Sequence, residues 1–151
     1  TTEAEVSRAF ENILTHANKY NDSSDIRGVI VTPMAKAGVE VIIGTKIDDQ
    51  FGPIIMFGLG GILVEILKDV SFRVLPLTPE AAGEMIGEIK ASAILDGVRG
   101  NPSLDKEALI ELLLKVSEII ESYPEIREMD LNPVIIHEKG FSIVDARIIL
   151  T

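Results

Sequence analysis

The stretch Met129-Asp130-Leu131-Asn132-Pro133-Val134-Ile135-Ile136 is followed by the polar turn Glu138-Lys139-Gly140 and then by the runs Phe141 to Asp145 and Arg147 to Leu150. Runs rich in β-branched and apolar residues on both sides of a glycine-containing turn predict a β-hairpin. A short turn reverses the chain, so the two arms pair antiparallel. The C-terminal end of the chain is therefore predicted to form two adjacent antiparallel strands.

Two helices are predicted upstream of this hairpin. Thr78 is a good N-cap residue and Pro79 suits the first helical position, so a helix is predicted from there to about Lys90. A second helix is predicted from near Asp105 to about Tyr123, because leucine, valine and isoleucine recur on one broad face. Together with the hairpin, these helices favour an α+β fold.

The first part of the chain is predicted to contain one amphipathic helix and several strands. The helix runs from Glu3 to Tyr20, where apolar residues recur at helical spacing. The predicted strands are Gly28–Met34, which forms a hairpin with Val39–Ile47, then Ile54–Phe57, Ile62–Leu67 and Phe72–Leu77. The expected fold is an antiparallel sheet with helices packed on one side.

Composition excludes several classes of function. The chain has 151 residues, the length of one ordinary domain, and contains no cysteine, so disulfides and thiolate chemistry are excluded. Its formal net charge of −10 provides no field that would attract nucleic acid or an anionic membrane. Because neither a secretory signal nor a membrane-spanning stretch is visible, we predict a cytoplasmic protein.

The predicted hairpin contains the strongest candidate site. Asp130 and Asn132 are two positions apart on one strand and therefore project from the same face. If the return strand places Asp145 opposite Asn132, three oxygen donors converge, which is typical of a Mg²⁺ site. That pairing requires an even-length turn centred between Glu138 and Lys139.

Two alternatives to this metal site stay open. A three-residue turn with Gly140 in a left-handed conformation would shift the register by one and turn Asp145 to the other face. In the simpler interpretation, Asp130 and Asn132 solvate a strand end and Asp145 terminates the hairpin. One observation opposes this simpler interpretation: Asp130 and Asp145 are embedded in apolar sequence, where partial burial of an unpaired charge costs free energy.

Two further segments suggest contacts with phosphate. In the first, Gly58, Gly60 and Gly61 follow an apolar strand and could let backbone N–H groups approach a phosphate, although a tight strand connection explains them equally well. Glu65 follows on the next predicted strand, facing either the same cleft or solvent. In the second, Arg99 lies between two glycines in a loop, where it could bind a phosphate or extend into water.

Several segments occur together in an order that resembles a known family. They are Val39-Glu40-Val41-Ile42-Ile43-Gly44, Asp49-Gln50-Phe51-Gly52-Pro53, Met56-Phe57-Gly58-Leu59-Gly60-Gly61, Val64-Glu65-Ile66-Leu67-Lys68-Asp69-Val70 and Met129-Asp130-Leu131-Asn132-Pro133. As a set they resemble the ATP-grasp domain of the NDP-forming acyl-CoA synthetases. That family includes the ADP-forming acetyl-CoA synthetases, and the succinyl-CoA synthetase β subunit is a more distant relative.

The resemblance implies both a reaction and residue roles. Acyl-CoA, ADP and phosphate are interconverted with acid, CoA and ATP, and the ATP-grasp portion binds the Mg²⁺ nucleotide. Asn132 and Asp145 match the metal positions. The catalytic candidates are Asp130, which matches the neighbouring acidic position, with Glu65 and Arg99, and the phosphate-side loop matches Gly58, Gly60 and Gly61. Thr32 and Met34 match the hinge against which adenine lies.

The sequence also departs from the family. Thr32-Pro33 replaces the more usual Gln-Glu pair of the hinge, and nothing corresponds to the N-terminal portion with its nucleotide-binding lysine. We therefore expect residues 1–151 to be a partial ATP-grasp domain, its C-terminal subdomain, which is inactive alone and works in an oligomer with CoA-binding and ligase domains. The alternatives are a non-catalytic regulatory or scaffold module, and a CoA ligase specific for another acid.

Overall fold

A computed structural model of the protein describes residues 2–20, 26–61, 68–98, 100 and 102–151. The chain divides into two compact units, Thr1–Met34 and Ala35–Thr151. The first unit contains helix α1, Glu3–Tyr20, with the predicted boundaries. No residue of α1 is buried, and its apolar side chains Val6, Phe10 and Ile13 are about half exposed.

The second unit contains one antiparallel sheet. Its strands among the described residues are β1 (Val39–Asp48), β2 (Gly52–Leu59), β3 (Val70–Val74), β4 (Ile126–Ile136), β5 (Phe141–Ile143) and β6 (Ala146–Leu150). Their spatial order is β3-β2-β1-β4-β5, and β6 continues the edge of the sheet by also pairing with β4. The predicted C-terminal hairpin is confirmed, with β5 and β6 together forming its return arm.

Two helices begin where the sequence predicts, and each has a capping residue. Helix α2 spans Pro79–Glu88, and the Thr78 hydroxyl accepts a hydrogen bond from the Ala81 amide at 3.2 Å. Helix α3 spans Lys106–Ser122, after the N-cap residue Asp105. A short 3₁₀ helix, residues 92–94, lies between them. At the start of α2 and of α3, the side-chain oxygen of the capping residue accepts a hydrogen bond from an amide of the first turn that would otherwise lack a partner.

The core lies between the sheet and these two helices. Val41, Ile43, Ile55 and Phe57 are fully buried on β1 and β2, where they alternate with less buried residues. They belong to one cluster with apolar residues of α2, α3 and β4. Burial of one such side chain contributes about 1.5–3 kcal/mol. The predicted α+β architecture, with helices on one side of an antiparallel sheet, is confirmed.

A buried carboxylate holds the segment that follows α2. Asp69 is 6% exposed, and its two carboxylate oxygens accept hydrogen bonds from the amides of Lys90 at 2.8 Å and Ala91 at 2.9 Å. A buried charge is tolerated when it is hydrogen-bonded. Asp69 occurs in one of the family-like segments, and in this structure it stabilises the fold.

The prediction of a hairpin between Gly28–Met34 and Val39–Ile47 is wrong. Gly28–Met34 is irregular, while β1 pairs with β2 on one edge and β4 on the other. Apolar β-branched residues favour extended backbone, but a strand also needs a free edge to pair with, and β1 has none.

The predicted strand Ile62–Leu67 lies outside the described residues. The predicted strand Phe72–Leu77 is β3, which ends before Pro76, a residue without an amide hydrogen.

Candidate functional site

The face of the sheet that points away from α2 and α3 contains a groove of about 400 Å³. We call this side of the sheet the open face. Phe72 and Val74 project from it with 51% exposure each, in contrast to the buried side chains on the other face. The groove is lined by Gly44, Thr45, Lys46, Ile54, Met56, Phe72, Glu128, Met129, Asp130, Arg147 and Ile149.

The part of the groove formed by β2 and β3 is apolar. Met56 pairs with Phe72 on one side and with Gly44 on the other, and Ile54 lies two positions along β2. Gly44 leaves a depression in the middle of the sheet, because a Cβ atom placed there would lie 3.5 Å from Met56 Cε. A flat apolar ring system would find both room and contact area here.

The part of the groove formed by β4 and β6 is charged. Asp130 lies opposite Arg147, and Lys46 of β1 lies opposite Glu128. The Arg147 guanidinium is 4.0 Å from the Glu128 carboxylate and its side chain is 69% exposed, so this ion pair is loose. An exposed guanidinium beside carboxylates can bind phosphate. The groove therefore joins an apolar region to a region suited to charged groups.

The pairing of the hairpin places Asn132 opposite Asp145. Leu131 pairs with Ala146, and Val134 pairs with Ile143, which leaves Asn132 and Asp145 facing each other. The Asn132 amide donates to the Asp145 carbonyl at 3.2 Å. The register is therefore the one centred between residues 138 and 139, and the alternative register shifted by one residue is excluded.

The candidate metal ligands lie where β4 meets the return arm of the hairpin. Met129 and Leu131 are each 5% exposed on the core side, so Asp130 occupies the opposite side by strand alternation. Asn132 is exposed and lies at the irregularity where the pairing of β4 with β1 shifts between Leu131 and Val134. Asp145 lies between β5 and β6, and its backbone carbonyl accepts the hydrogen bond from the Asn132 amide. The predicted pairing of Asn132 with Asp145 is present in the fold, and the binding of a metal by these residues and Asp130 stays a prediction.

The donor set at this position fits Mg²⁺. One carboxylate oxygen of Asp145 accepts from the Ala146 amide at 2.8 Å, which leaves the other available. Within the described part of the chain, no cluster of three or more His, Cys, Asp or Glu side chains could hold a metal. A cation here would thus use the Asn132 amide oxygen and one or two carboxylates. Mg²⁺ is commonly bound in this way, with phosphate and water completing the octahedron.

The glycine-rich segment Gly58–Gly61 contains one glycine with a structural role, Gly60. Gly60 donates to the Glu40 carbonyl at 2.7 Å, and a Cβ atom at Gly60 would lie 3.0 Å from Glu40 Cβ. Close approach of two backbones therefore explains this glycine. Gly58 is buried within β2, whereas Gly61 has φ of +66° and open space around it. The phosphate-binding role of the three glycines stays a prediction.

Four further residues were predicted as site residues: Thr32, Met34, Glu65 and Arg99. Thr32 is exposed and Met34 is 95% exposed, and both belong to the first unit. Their part in binding adenine stays a prediction. Glu65 and Arg99 lie outside the described residues, so the roles assigned to them stay predictions.

The sequence interpretation missed most of the groove. Gly44, Lys46, Met56, Phe72 and Arg147 line it, and none was predicted as a site residue. The alternation of buried and exposed positions along β1 and β2 was the available signal. Such alternation separates two faces, but it does not tell which face holds a ligand.

A sequence model described as an ATP-grasp domain matches residues 1–150. The chain belongs to the ATP-grasp family. It is 52% identical over 149 residues to the β subunit of acetate–CoA ligase [ADP-forming] II from Pyrococcus furiosus, covering 97% of this chain and 63% of that subunit. The predicted resemblance to ADP-forming acetyl-CoA synthetases is confirmed.

Solved structures agree with this family. This ATP-grasp chain superposes with a TM-score of 0.94 and 47% identity on dinucleotide-forming acetyl-coenzyme A synthetase 1 of Ca. Korarchaeum cryptofilum in complex with coenzyme A, Ca-AMPCP and HgCl⁺, covering 99% of this chain and 66% of that one. A second structure of that enzyme contains coenzyme A and Mg-AMPPCP; its TM-score is 0.75 with 53% identity, over 78% of this chain and 55% of that one. The chain thus spans about two thirds or less of these relatives' length.

None of the described helices has the length and apolar character needed to cross a membrane.

Proposed function

We propose that this chain is the ATP-grasp portion of an ADP-forming acyl-CoA synthetase and binds Mg-ATP or Mg-ADP on the open face. The reaction served is acyl-CoA, ADP and phosphate to acid, CoA and ATP. The placement of Asn132 opposite Asp145, two positions along β4 from Asp130, carries the proposal. The relative crystallised with Mg-AMPPCP supports the choice of nucleotide and metal.

The groove suggests how the nucleotide lies. The apolar region around Met56 and Phe72 contacts the base or ribose, and the phosphates extend toward β4 and β6. Asn132 and Asp145 would hold Mg²⁺, which when bound offsets the negative charge of the phosphates. Arg147 contributes a further positive charge, because only a loose ion pair restrains it. The main catalytic contribution of these residues is positioning and electrostatic stabilisation.

The proposed activity needs partners. The relative from Pyrococcus furiosus is a β subunit, and this chain spans 63% of it. We propose that the chain acts with CoA-binding and ligase domains, in the same protein or in another subunit. Selection of the acyl group belongs to those domains. Acetate is the first acid to test, because the relative is an acetate–CoA ligase. The oligomeric state and a cytoplasmic location stay predictions.

The test is calorimetric titration of the 151-residue chain with ADP in the presence of Mg²⁺. We expect binding that requires Mg²⁺ and falls at least about tenfold in Asn132→Ala and Asp145→Ala, since each removes one direct metal ligand. Asp49→Ala is the matched control, because it removes an exposed carboxylate in the β1–β2 turn. Equal affinity in all four proteins would reject the assigned ligands. Absence of nucleotide binding by the wild type would favour the non-catalytic module.

A further inference from the structure

Asp105 connects the start of α3 with the turn of the metal-binding hairpin. One carboxylate oxygen accepts from the Ala108 amide at 3.0 Å and so caps the helix, while the other accepts from the Gly140 amide at 2.7 Å. The Asp105 amide donates to the His137 carbonyl at 2.9 Å. Hydrogen bonds from Gly140 and Ala108 hold the pKa of the Asp105 carboxyl below its ordinary value.

These bonds replace part of the normal hairpin turn. In a two-residue hairpin, the residues that flank the turn usually exchange two backbone hydrogen bonds. Here His137 donates to the Gly140 carbonyl at 3.0 Å, but the return bond is absent, because the Gly140 amide and the His137 carbonyl both bind Asp105. A residue distant in sequence therefore completes the turn.

The strand after this turn is weakly held. β5 has three residues at the edge of the sheet, and its apolar side chains Phe141 and Ile143 are 37% and 45% exposed. A side chain also links the turn to β5, since His137 Nε2 lies 2.9 Å from the Ser142 hydroxyl. β5 leads directly to Asp145, so the geometry of the turn is transmitted to the candidate metal ligand.

We propose that Asp105 is a positioning residue for the metal site. Its carboxylate holds Gly140 so that the turn keeps its two-residue form, and this keeps Asp145 opposite Asn132. Without the Asp105 bonds, Gly140, with φ of +69°, suits the three-residue turn whose register aims Asp145 at the other face. The metal-related part of this inference rests on the proposed function, whereas the control of register does not.

The variant Asp105→Ser separates the two roles of this residue. Serine is a good N-cap, so its hydroxyl keeps the bond to Ala108, but the shorter side chain does not reach Gly140. Thr78→Ala is the matched control, because it removes the N-cap of α2 and leaves the hairpin unchanged. Urea unfolding of both variants checks that each remains folded.

Amide hydrogen exchange without nucleotide reads the register directly. The Asn132 and Val144 amides donate to the Asp145 and Pro133 carbonyls, so both report on the pairing around the ligands. We expect them to exchange about tenfold faster in Asp105→Ser than in the wild type, as loss of one hydrogen bond allows. Thr78→Ala should exchange like the wild type at both amides. Equal exchange in Asp105→Ser and the wild type would overturn the proposal.

Titration with Mn²⁺ and ADP tests the consequence for the site. We expect an affinity on the order of tenfold weaker in Asp105→Ser, since loss of a group that orients a ligand typically has this effect. Faster exchange together with unchanged Mn²⁺-ADP affinity would refute the positioning role. If the wild type binds no Mn²⁺-ADP, the proposed function fails, and the exchange rates still decide whether Asp105 controls the register.

Discussion

Gly44 lies in the middle of β1 on the open face, between Met56 of β2 and Asp130 of β4. A side chain at this position would fill the depression that separates the apolar from the charged part of the groove. Its first atom would meet Met56 Cε at 3.5 Å and the Met129 carbonyl oxygen at 3.9 Å, which are ordinary contacts. The sheet therefore tolerates a side chain here. That side chain would occupy space in the groove that a bound ligand would need.

We predict that Gly44→Val weakens Mg-ADP binding on the order of tenfold, because added methyl groups occupy ligand space. Its free energy of unfolding should equal or exceed that of the wild type, since valine favours strands. Calorimetry and urea unfolding measure the two quantities. Gly87→Val is the control for the same substitution, at an exposed site on α2 with nothing near the added atom. Unchanged ADP affinity in Gly44→Val would place the nucleotide elsewhere.

At the scale of elements, Arg73 of β3 forms ion pairs with two carboxylates of α2. Arg73 donates through Nη1 to the Glu88 carboxylate at 2.9 Å, and Nη2 contacts the same group. Glu84, one turn earlier on α2, is 3.6 Å away. Bonding to Glu88 raises the pKa of Arg73, and the hydrogen bond from Arg73 lowers the pKa of the Glu88 carboxyl. This pair orients the helix against the edge of the sheet.

The Glu88 shift predicts a pH dependence of stability. A carboxyl whose pKa is lower in the folded state stabilises the fold above its unfolded pKa, about 4.3 for Glu, and loses this contribution as pH falls through the folded pKa. The difference in unfolding free energy between wild type and Glu88→Gln should therefore be largest near neutral pH and shrink in acid. Urea unfolding at several pH values measures it. Glu111→Gln, which removes an exposed carboxylate with no described partner, should show no such trend.

Local patterns were sufficient for some elements and insufficient for others. The capping residue Thr78 predicted where α2 begins, and the recurrence of apolar residues after Asp105 predicted α3, because both signals are local. Gly28–Met34 was predicted as a strand and is not one. Its residues favour extended backbone, but whether a strand forms depends on partners that a local pattern does not contain.

At the scale of the whole molecule, the apolar core lies within one unit. The buried cluster extends in sequence from Val41 to Ile136 and includes residues of β1, β2, β4, α2 and α3. No residue of α1 is buried. The buried apolar cluster beneath the sheet therefore belongs to Ala35–Thr151, the second compact unit.

We predict that residues 35–151 fold on their own. The shortened chain should unfold cooperatively in urea at a midpoint within experimental error of the full chain, because the core is retained. Circular dichroism monitors the transition, and the full chain is the control. A shortened chain that is unfolded in buffer would show that the first unit contributes to the stability of the sheet.

The local sequence was enough to establish the helices with capped starts, the C-terminal hairpin, the likeness to ATP-grasp proteins and the identity of Asn132 and Asp145 as candidate ligands. Each of these depends on neighbouring residues or on a shared motif. The register that pairs the two ligands, the side of the sheet that stays open, and the bond from Asp105 to Gly140 required the folded chain. They depend on contacts between segments far apart in sequence, and such contacts exist only once strands and helices have packed.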